Sequence, residues 1–532
     1  MQNYALTIDK FLDHAAKWSG DTPVVEAAAE HPDRQMTYVV LRERSNRLSG
    51  ALLALDMPSG ALEFGERVGT LAWNTIDHLA IYYATMGVGL VCHTLNPRLT
   101  IEHLAAIINQ AQDRVLAVAA DLLSIAEAIV PSCPCVDHIV VLDRAPTDAQ
   151  RQAFHPRPVH ALDDLIEARG APVAWGQFDE NAAAGLCFTS GTTGRPKGVL
   201  YTHRSNYLHT LHTMQANVFA LTDSDVVLLG VPMFHANGWG LPFSAPGAGA
   251  KLVLPGRAMD GASLARLMRD EGVTVAVGVQ TLWLGLVDHL EATGQTLPAL
   301  QRVLIGGSTC PDALIERIEQ RLGAHVQTSW GMTELSPLGT VAPAQAGADH
   351  ARGSGRPPVG VDLKLTDAAG VPLPEQRGIQ GHLKVRGASV IDRYFDDDGV
   401  VLDAEGYFDT GDLAMIDAGG NLTICGRAKD LIKSGGEWIN PTEMEAIIGR
   451  DPAIRHVAVV GRDDAKWGER PVLIVERQDR SEDVRGLLQL LRGQVADWWL
   501  PGEVVDIDAM PLAASGKIDK ARLRADYAAG LI

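Results

Sequence analysis

Gly185-Leu186-Cys187-Phe188-Thr189-Ser190-Gly191-Thr192-Thr193-Gly194-Arg195-Pro196-Lys197-Gly198 decides how this chain is read. The apolar run Gly185 to Phe188 predicts a strand. Behind it, residues Thr189 to Gly198 carry three glycines, four hydroxyl side chains and two cations. Backbone N–H groups of such a loop can turn inward on an anion, with the hydroxyls and Lys197 completing a triphosphate cradle. A polar surface turn shares that composition. The familiar phosphate motifs do not account for it. No G-x-G-x-x-G occurs, and Pro196 stands where G-x-x-x-x-G-K-[ST] needs a glycine before Lys197. No G-x-S-x-G elbow or H-E-x-x-H helix is present either.

Outward from that loop, short apolar runs (Val68 to Ala72, Val115 to Val118, Ile139 to Leu142, Val226 to Leu229) alternate with helical stretches (His78 to Met86, Ile101 to Gln112). The alternation predicts an α/β body of sheets with helices packed on them. From about Gly355 the texture turns to strand and turn, with Val361 to Thr366 and Gly381 to Gly387 as strands of a small β-barrel-like subdomain. A last unit begins near Asp430. It holds helices at Pro441 to Ile448 and Leu487 to Trp498 and strands at Val457 to Val460 and Val472 to Val475, enough for a smaller α/β lid. Val226 to Ala250 runs 25 residues without Lys, Arg, Asp or Glu. Pro232, Pro242, Pro246 and five glycines interrupt it, so it reads as a buried strand entering a pocket-lining loop rather than a membrane span.

At 532 residues and 57.0 kDa the chain is too long for one core. Lys and Arg number 46 against 65 Asp and Glu, a formal charge of -19, which argues against nucleic acid or an anionic membrane as a general partner. Six scattered cysteines include no C-x-x-C pair, so neither a structural disulfide nor a zinc site is expected. Asp9, Lys10, Asp13 and Lys17 interrupt the start where a secretory signal needs an apolar run, and a cytosolic protein is expected.

The loop Thr189 to Gly198 resembles the signature of the adenylate-forming (AMP-binding) superfamily. Gln327 to Glu334, Tyr407 to Asp412, Gly426 to Asp430 and Pro511 to Lys517 follow in that family's order and spacing. The resemblance implies an acyl-CoA synthetase: ATP and a carboxylic acid give an acyl-adenylate and pyrophosphate, and the thiol of CoA then displaces AMP. It divides the chain into residues 1–428, binding nucleotide and acyl group, and a mobile lid at residues 429–532. It also implies a homodimer, with no membrane insertion.

Site residues follow from the same resemblance. Thr189 and Glu334 would hold Mg²⁺, an oxygen-seeking ion. Ser190, Gly191, Thr192, Thr193, Gly194 and Lys197 would cover the phosphates. Asp412 and Arg427 match ribose-binding positions, although the two residues alone also suit a simple ion pair. Gly307, Ser308, Ser329, Trp330, Gly331, Met332 and Thr333 would surround the nucleotide, with Trp330 flanking the adenine. Lys517 would touch the carboxylate and α-phosphate during adenylation, and Lys429 would be the hinge about which the lid turns. After that turn, Lys433, Gly435, Gly436, Glu437 and Trp438 would line the pantetheine channel, with Glu469 nearby.

Pro232 to Trp239 is similar to the acyl-pocket segment of fatty-acyl-CoA synthetases. His235 would close over carboxylate and ATP, and Trp239, Gly306 and Pro337 would wall the pocket, with Trp283, Met332 and Leu338 as further bulk. Amino-acid-activating relatives carry an Asp here; Val226 to Ala250 has none. The expected substrate is a short- or medium-chain acid, fatty or 3-(methylthio)propionate in kind, whose sulfur would suit aromatic walls. Two other readings stand beside it: activation of an aryl acid or loading of a carrier protein, and a nucleotide sensor without catalysis.

Overall fold

β-Branched and leucine-rich runs, buried on both faces, favour parallel strands covered by helices, and two such sheets form the body of the protein. The computed structural model describes residues 1–27, 33–58, 60–189, 196–307, 310–345, 353–435, 437–451, 453–478, 484–513 and 517–532. Among these, one sheet of seven strands runs in the order Val159–Ala161, His138–Val141, Asp113–Val118, Arg67–Leu71, Val91–Thr94, Ala183–Thr189, Lys197–Thr202. It is parallel except for its last pair, so Ala183–Thr189 and Lys197–Thr202 bracket the glycine-rich loop as a hairpin. A second sheet of eight strands runs Leu338–Val341, His325–Gly331, Arg302–Gly306, Val275–Val279, Val226–Leu229, Lys251–Leu254, Pro23–Glu26, Arg34–Thr37. The carboxyl ends of its central parallel strands carry Gly230, Gly306 and Gly331, the usual place for a ligand in an open α/β sheet.

The expected small β unit is a sheet of four antiparallel strands, Val361–Thr366, Gln380–Gly387, Phe408–Ile416 and Leu422–Arg427. No closed barrel forms among the described residues. The outer strands Val361–Thr366 and Leu422–Arg427 do not pair. The sheet's apolar face is covered by Cys187, Val199, Tyr201 and Trp330 of the body, so there is no bare face for closure to bury. The C-terminal unit is a five-stranded sheet centred on Gly468–Arg477 with helices Pro441–Ile448, Leu487–Leu491 and Lys520–Ala528.

Two local expectations fail. The second lid helix stops at Leu491 instead of running to Trp498, because Arg492 is extended and Gly493 takes φ +71°. Conversely, Leu241–Ala248 is helical although it contains Pro242 and Pro246. Pro242 sits in the first turn, where an N–H has no partner to lose. Pro246 cannot bond the carbonyl of Pro242, and the Tyr83 hydroxyl donates to that oxygen instead at 2.8 Å. No described helix is long and apolar enough to cross a membrane.

Candidate nucleotide and acyl site

The two hairpin strands end at Thr189 and Lys197, cross-strand partners on either side of the loop. Ser190, Gly191, Thr192, Thr193 and Gly194 lie outside the described residues, as do Ser308 and Gly436. The Lys197 ammonium stands 4.7 Å over the Tyr394 ring, and the Tyr394 hydroxyl donates to Glu334 Oε1 at 3.1 Å. Tyr394 therefore links the loop's cation to the candidate metal carboxylate. It lies in an irregular segment between Arg393 and Phe395, where neither periodicity nor motif flags it.

Glu334 is buried in the single turn Thr333–Leu335. Its backbone carbonyl accepts from Ile391 N–H at 3.0 Å, and the Tyr201 hydroxyl donates to Thr333 O at 2.9 Å. Burial raises its pKa above the usual carboxylate value, against the bond from Tyr394 and the fields of Arg427 and Lys197. Glu334 offers a buried carboxylate whose side-chain hydrogen bond comes from a neutral phenol, and Thr189 offers a hydroxyl at the end of the hairpin strand; both are hard oxygen donors. Those two residues fit a hard divalent ion that keeps phosphate and water ligands of its own.

Asp412 and Arg427 face each other across adjacent strands, Arg427 Nε 2.8 Å from Asp412 Oδ1. The Trp330 indole N–H donates to the other oxygen, Oδ2, at 2.9 Å. Trp330 is buried, its outer ring so close to Gly339 that a Cβ there would come to 2.3 Å. It thus fixes Asp412 and leaves little ring face free. Burial is the larger influence on Asp412 and raises its pKa; Arg427, Trp330 and Lys517 pull the other way.

Lys517 lies just inside the Leu512–Ile518 bridge, its carbonyl accepting from Ala513 N–H at 2.7 Å. Lys517 is exposed to solvent. Lost hydration lowers its pKa, Arg427 adds to the fall, and Asp412 and Glu334 oppose it. The Lys517 charge is also felt at His235, whose imidazole burial pushes down to about 4 and so keeps neutral at pH 7. Residues far apart in sequence, His235, Glu334, Asp412, Arg427 and Lys517, thus share one electrostatic neighbourhood.

The chain enters His235 through a clamp that sequence reading missed. Asn74, buried, donates to Leu229 O and Val231 O at 2.9 and 2.8 Å and accepts from Met233 N–H at 2.7 Å. Beyond His235, the Trp239 indole covers the end of strand Arg302–Gly306. A Cβ on Gly306 would lie 2.7 Å from Trp239 Cη2 and 2.5 Å from Ser329 Oγ, while a Cβ on Gly307, at φ +87°, would lie 3.8 Å from the same indole. Ser329 itself donates to Ile305 O at 3.1 Å. Gly331 leaves room for Pro337 O, which a Cβ would approach to 2.2 Å and which accepts from Met332 N–H at 3.0 Å. Trp283, expected at the pocket, is fully buried in the core with Leu286, Val287 and Ile305.

In the lid, Lys433 and Trp438 pair across a hairpin, the ammonium 5.3 Å from the exposed ring, and Gly435 makes the turn at φ +61°. Glu437 is exposed beside Trp438. The Glu469 carboxylate accepts from Lys433 N–H at 2.8 Å and so braces this hairpin. Lys429 is exposed in the turn Ala428–Asp430 that joins the four-stranded sheet to the lid. Asn440 spans that junction, donating to Cys425 O at 2.6 Å.

A glycine-rich loop bracketed by a hairpin of an α/β sheet, the buried carboxylates Glu334 and Asp412, and a lysine near the C-terminus whose charge is felt at both suit a nucleotide-dependent activating enzyme. The sequence profile of the AMP-binding enzyme family matches residues 11–395, and that of the AMP-binding enzyme C-terminal domain matches residues 443–517. The chain is 41% identical to a 3-methylmercaptopropionyl-CoA ligase of Ruegeria lacuscaerulensis, covering 99% of this chain and 98% of that protein. It is 40% identical to a medium-chain-fatty-acid–CoA ligase of Ectopseudomonas oleovorans, over 99% and 97%. The solved structure of an anthranilate CoA ligase in complex with anthranoyl-AMP superposes with a TM-score of 0.88 at 23% identity, covering 100% of this chain and 99% of that one. The chain belongs to the AMP-binding enzyme family and is an acid–thiol ligase, an AMP-forming acyl-CoA synthetase.

Proposed function

We propose that the protein activates a short- or medium-chain carboxylic acid, a fatty acid or 3-(methylthio)propionate, and passes the acyl group to CoA. The observation that carries this reading is the buried Asp412 carboxylate, held by Arg427 Nε at 2.8 Å and the Trp330 indole N–H at 2.9 Å, with the Lys517 charge felt at it and at Glu334 and His235. A free carboxylate is anionic and its oxygen leaves poorly; joining it to AMP removes both faults. The barrier is bringing two anions together, which preorganised positive charge lowers. Lys517 neutralises the attacking carboxylate and the α-phosphate. Lys197 and the glycine-rich loop take the β- and γ-phosphates, and Asp412 with Arg427 takes the ribose. Bound Mg²⁺, held by Thr189 and Glu334, would supply further neutralisation of phosphate charge. Neutral His235 closes the acid's side of the site without adding a competing charge.

For the second half, residues 1–428 and 429–532 turn relative to each other about Lys429, the exposed residue of the turn Ala428–Asp430. Rotation there withdraws Lys517 and brings the strands Ile432–Ser434 and Glu437–Ile439 to the nucleotide, where Gly435 leaves a narrow path for pantetheine. Glu469 serves that path by bracing Lys433. The pocket walls Trp239, Gly306 and Pro337 lack any charged side chain, which favours an uncharged acyl tail over an amino acid. The same reading takes the enzyme to be a cytosolic homodimer.

Incubation with ATP, Mg²⁺, CoA and a panel of acids, with thioesters identified by mass spectrometry, tests the proposal. Acyl-CoA from short or medium acids, with AMP and pyrophosphate released, is the expected result; transfer only to a carrier domain would refute it.

A further inference from the structure

The five residues Ala236 to Gly240 wind left-handed throughout, with φ of +46°, +53°, +57°, +56° and +78°. Three of them carry side chains, which disfavour this region, so the turn persists only where its surroundings over-determine it. On one side the Trp239 indole lies on Gly306, and Asn237 is buried against Gly185, accepting from Cys187 Sγ at 3.8 Å. On the other side stands His209, from the helix His203–Thr213.

His209 touches two segments at once. Its Nδ1 and Cε1 come within 2.9 Å of where a Cβ on Gly240 would be, so the ring is wedged under the end of the left-handed turn. Its Nε2 accepts the Leu338 N–H at 3.1 Å, immediately after Pro337. An acceptor at Nε2 requires the neutral ring with its proton on Nδ1, and burial, which pushes this histidine down to about 3, keeps it so. One planar, uncharged side chain therefore spans the distance between the Trp239 and Pro337 segments.

We propose that His209 is a positioning residue that sets the gap between the two walls of the acid pocket and thereby limits the length of acyl chain accepted. This rests on Trp239 and Pro337 being those walls. His209 touches neither substrate nor nucleotide; it acts through the turn above it and the strand start beside it. Leucine at 209 keeps bulk but deletes the acceptor, leaving the buried Leu338 N–H unpaired and the Pro337 side free to shift. Glutamine keeps an acceptor near the position of Nε2.

The test is kcat and KM for propionate, hexanoate and decanoate, with KM for ATP as control. His209→Leu is expected to raise the decanoate-to-propionate ratio of kcat/KM at least tenfold, through the KM values for acid, with KM for ATP changed less than twofold. His209→Gln is expected to return the ratio to within threefold of the unaltered enzyme. A folded His209→Leu variant with the original ratio, or with kcat lowered equally for all three acids, overturns the proposal. Should that variant not fold, Gly240→Ala presses a methyl on the same ring from the opposite side and must also move the ratio; an unmoved ratio overturns the proposal. Thioester from no acid at all in the unaltered enzyme overturns the pocket reading beneath it, an outcome distinct from an unmoved ratio.

Discussion

Adding one methyl group at Gly306 is the sharpest probe of the acid site. Gly306 does not take a positive φ, so Gly306→Ala leaves the backbone relaxed and the whole effect comes from contact. The new Cβ would stand 2.5 Å from Ser329 Oγ, 2.7 Å from Trp239 Cη2 and 3.1 Å from Trp239 Cζ3. Carbon contacts normally settle at ~3.5–4 Å, so the indole must move by close to an ångström or leave its seat. Overpacking of this kind costs about 1–3 kcal/mol. Because the indole walls the acid pocket, that cost should fall on acid binding as a rise in KM of roughly 5- to 150-fold. Pyrophosphate exchange into ATP, driven by a series of acids, measures it, with KM for ATP as control. Trp239→Phe deletes both indole atoms that the methyl meets. The double variant should therefore recover the part of the loss owed to the indole, while the contact with Ser329 Oγ remains, a coupling of about 1 kcal/mol or more in a double-mutant cycle. A Gly306→Ala enzyme with the original acid KM, or a double variant whose defects simply add, would refute the placement of Trp239 against Gly306 as a pocket wall.

Further outcomes are expected elsewhere in the molecule. Lys517→Ala should slow adenylation by on the order of a hundredfold or more while sparing thioester formation from supplied acyl-adenylate; stopped-flow assay of each half separates them, and equal loss in both would remove the lysine from its role. Lys429→Pro should do the opposite by stiffening the hinge, and unimpaired thioester formation would clear Lys429 of any part. Stability should fall with acid. His78 is held at about 4, and His203 and His209 at about 3, against 6.5 in the unfolded chain. The unfolded state thus binds protons first, and stability is lost as pH drops from 6.5 toward these values, by about 3 kcal/mol for His78 alone (6.5 to about 4). Glu26, raised to about 7 from 4.5, has the opposite sign and offsets part of this between pH 7 and 4.5. Calorimetry showing a flat Tm from pH 6.5 to 4.5 would contradict the sum.

Where sequence and structure part company, the cause is a contact made at long range. Pro246 forbids a helix only if the carbonyl it abandons stays unpaired, and no local pattern announces that Tyr83, 159 residues from Pro242, supplies the hydrogen. Trp283 is as bulky as Trp239, yet one fills a core and the other lies on Gly306 at a strand end, because helix Gln280–Thr293 turns its apolar face to the eight-stranded sheet. Tyr394, Asn74 and His209 each do their work through a bond or ring contact to a segment dozens of residues away.

Local order along the chain was enough to establish the class of chemistry. The glycine-rich loop after its strand, the Thr333-Glu334 pair, Asp412, Arg427 and Lys517 are legible because they stand in the order and spacing of the AMP-binding family's motifs, and the roles expected of them come from that resemblance. Their protonation, their partners and the shape of the acid pocket depended on packing. Burial moves Glu334, Asp412 and Lys517 from their usual pKa values, Trp330 turns its N–H to Asp412 rather than offering its face, and Trp239 leans on Gly306. Desolvation and steric exclusion arise only when distant segments are pressed together, so no stretch of sequence contains them.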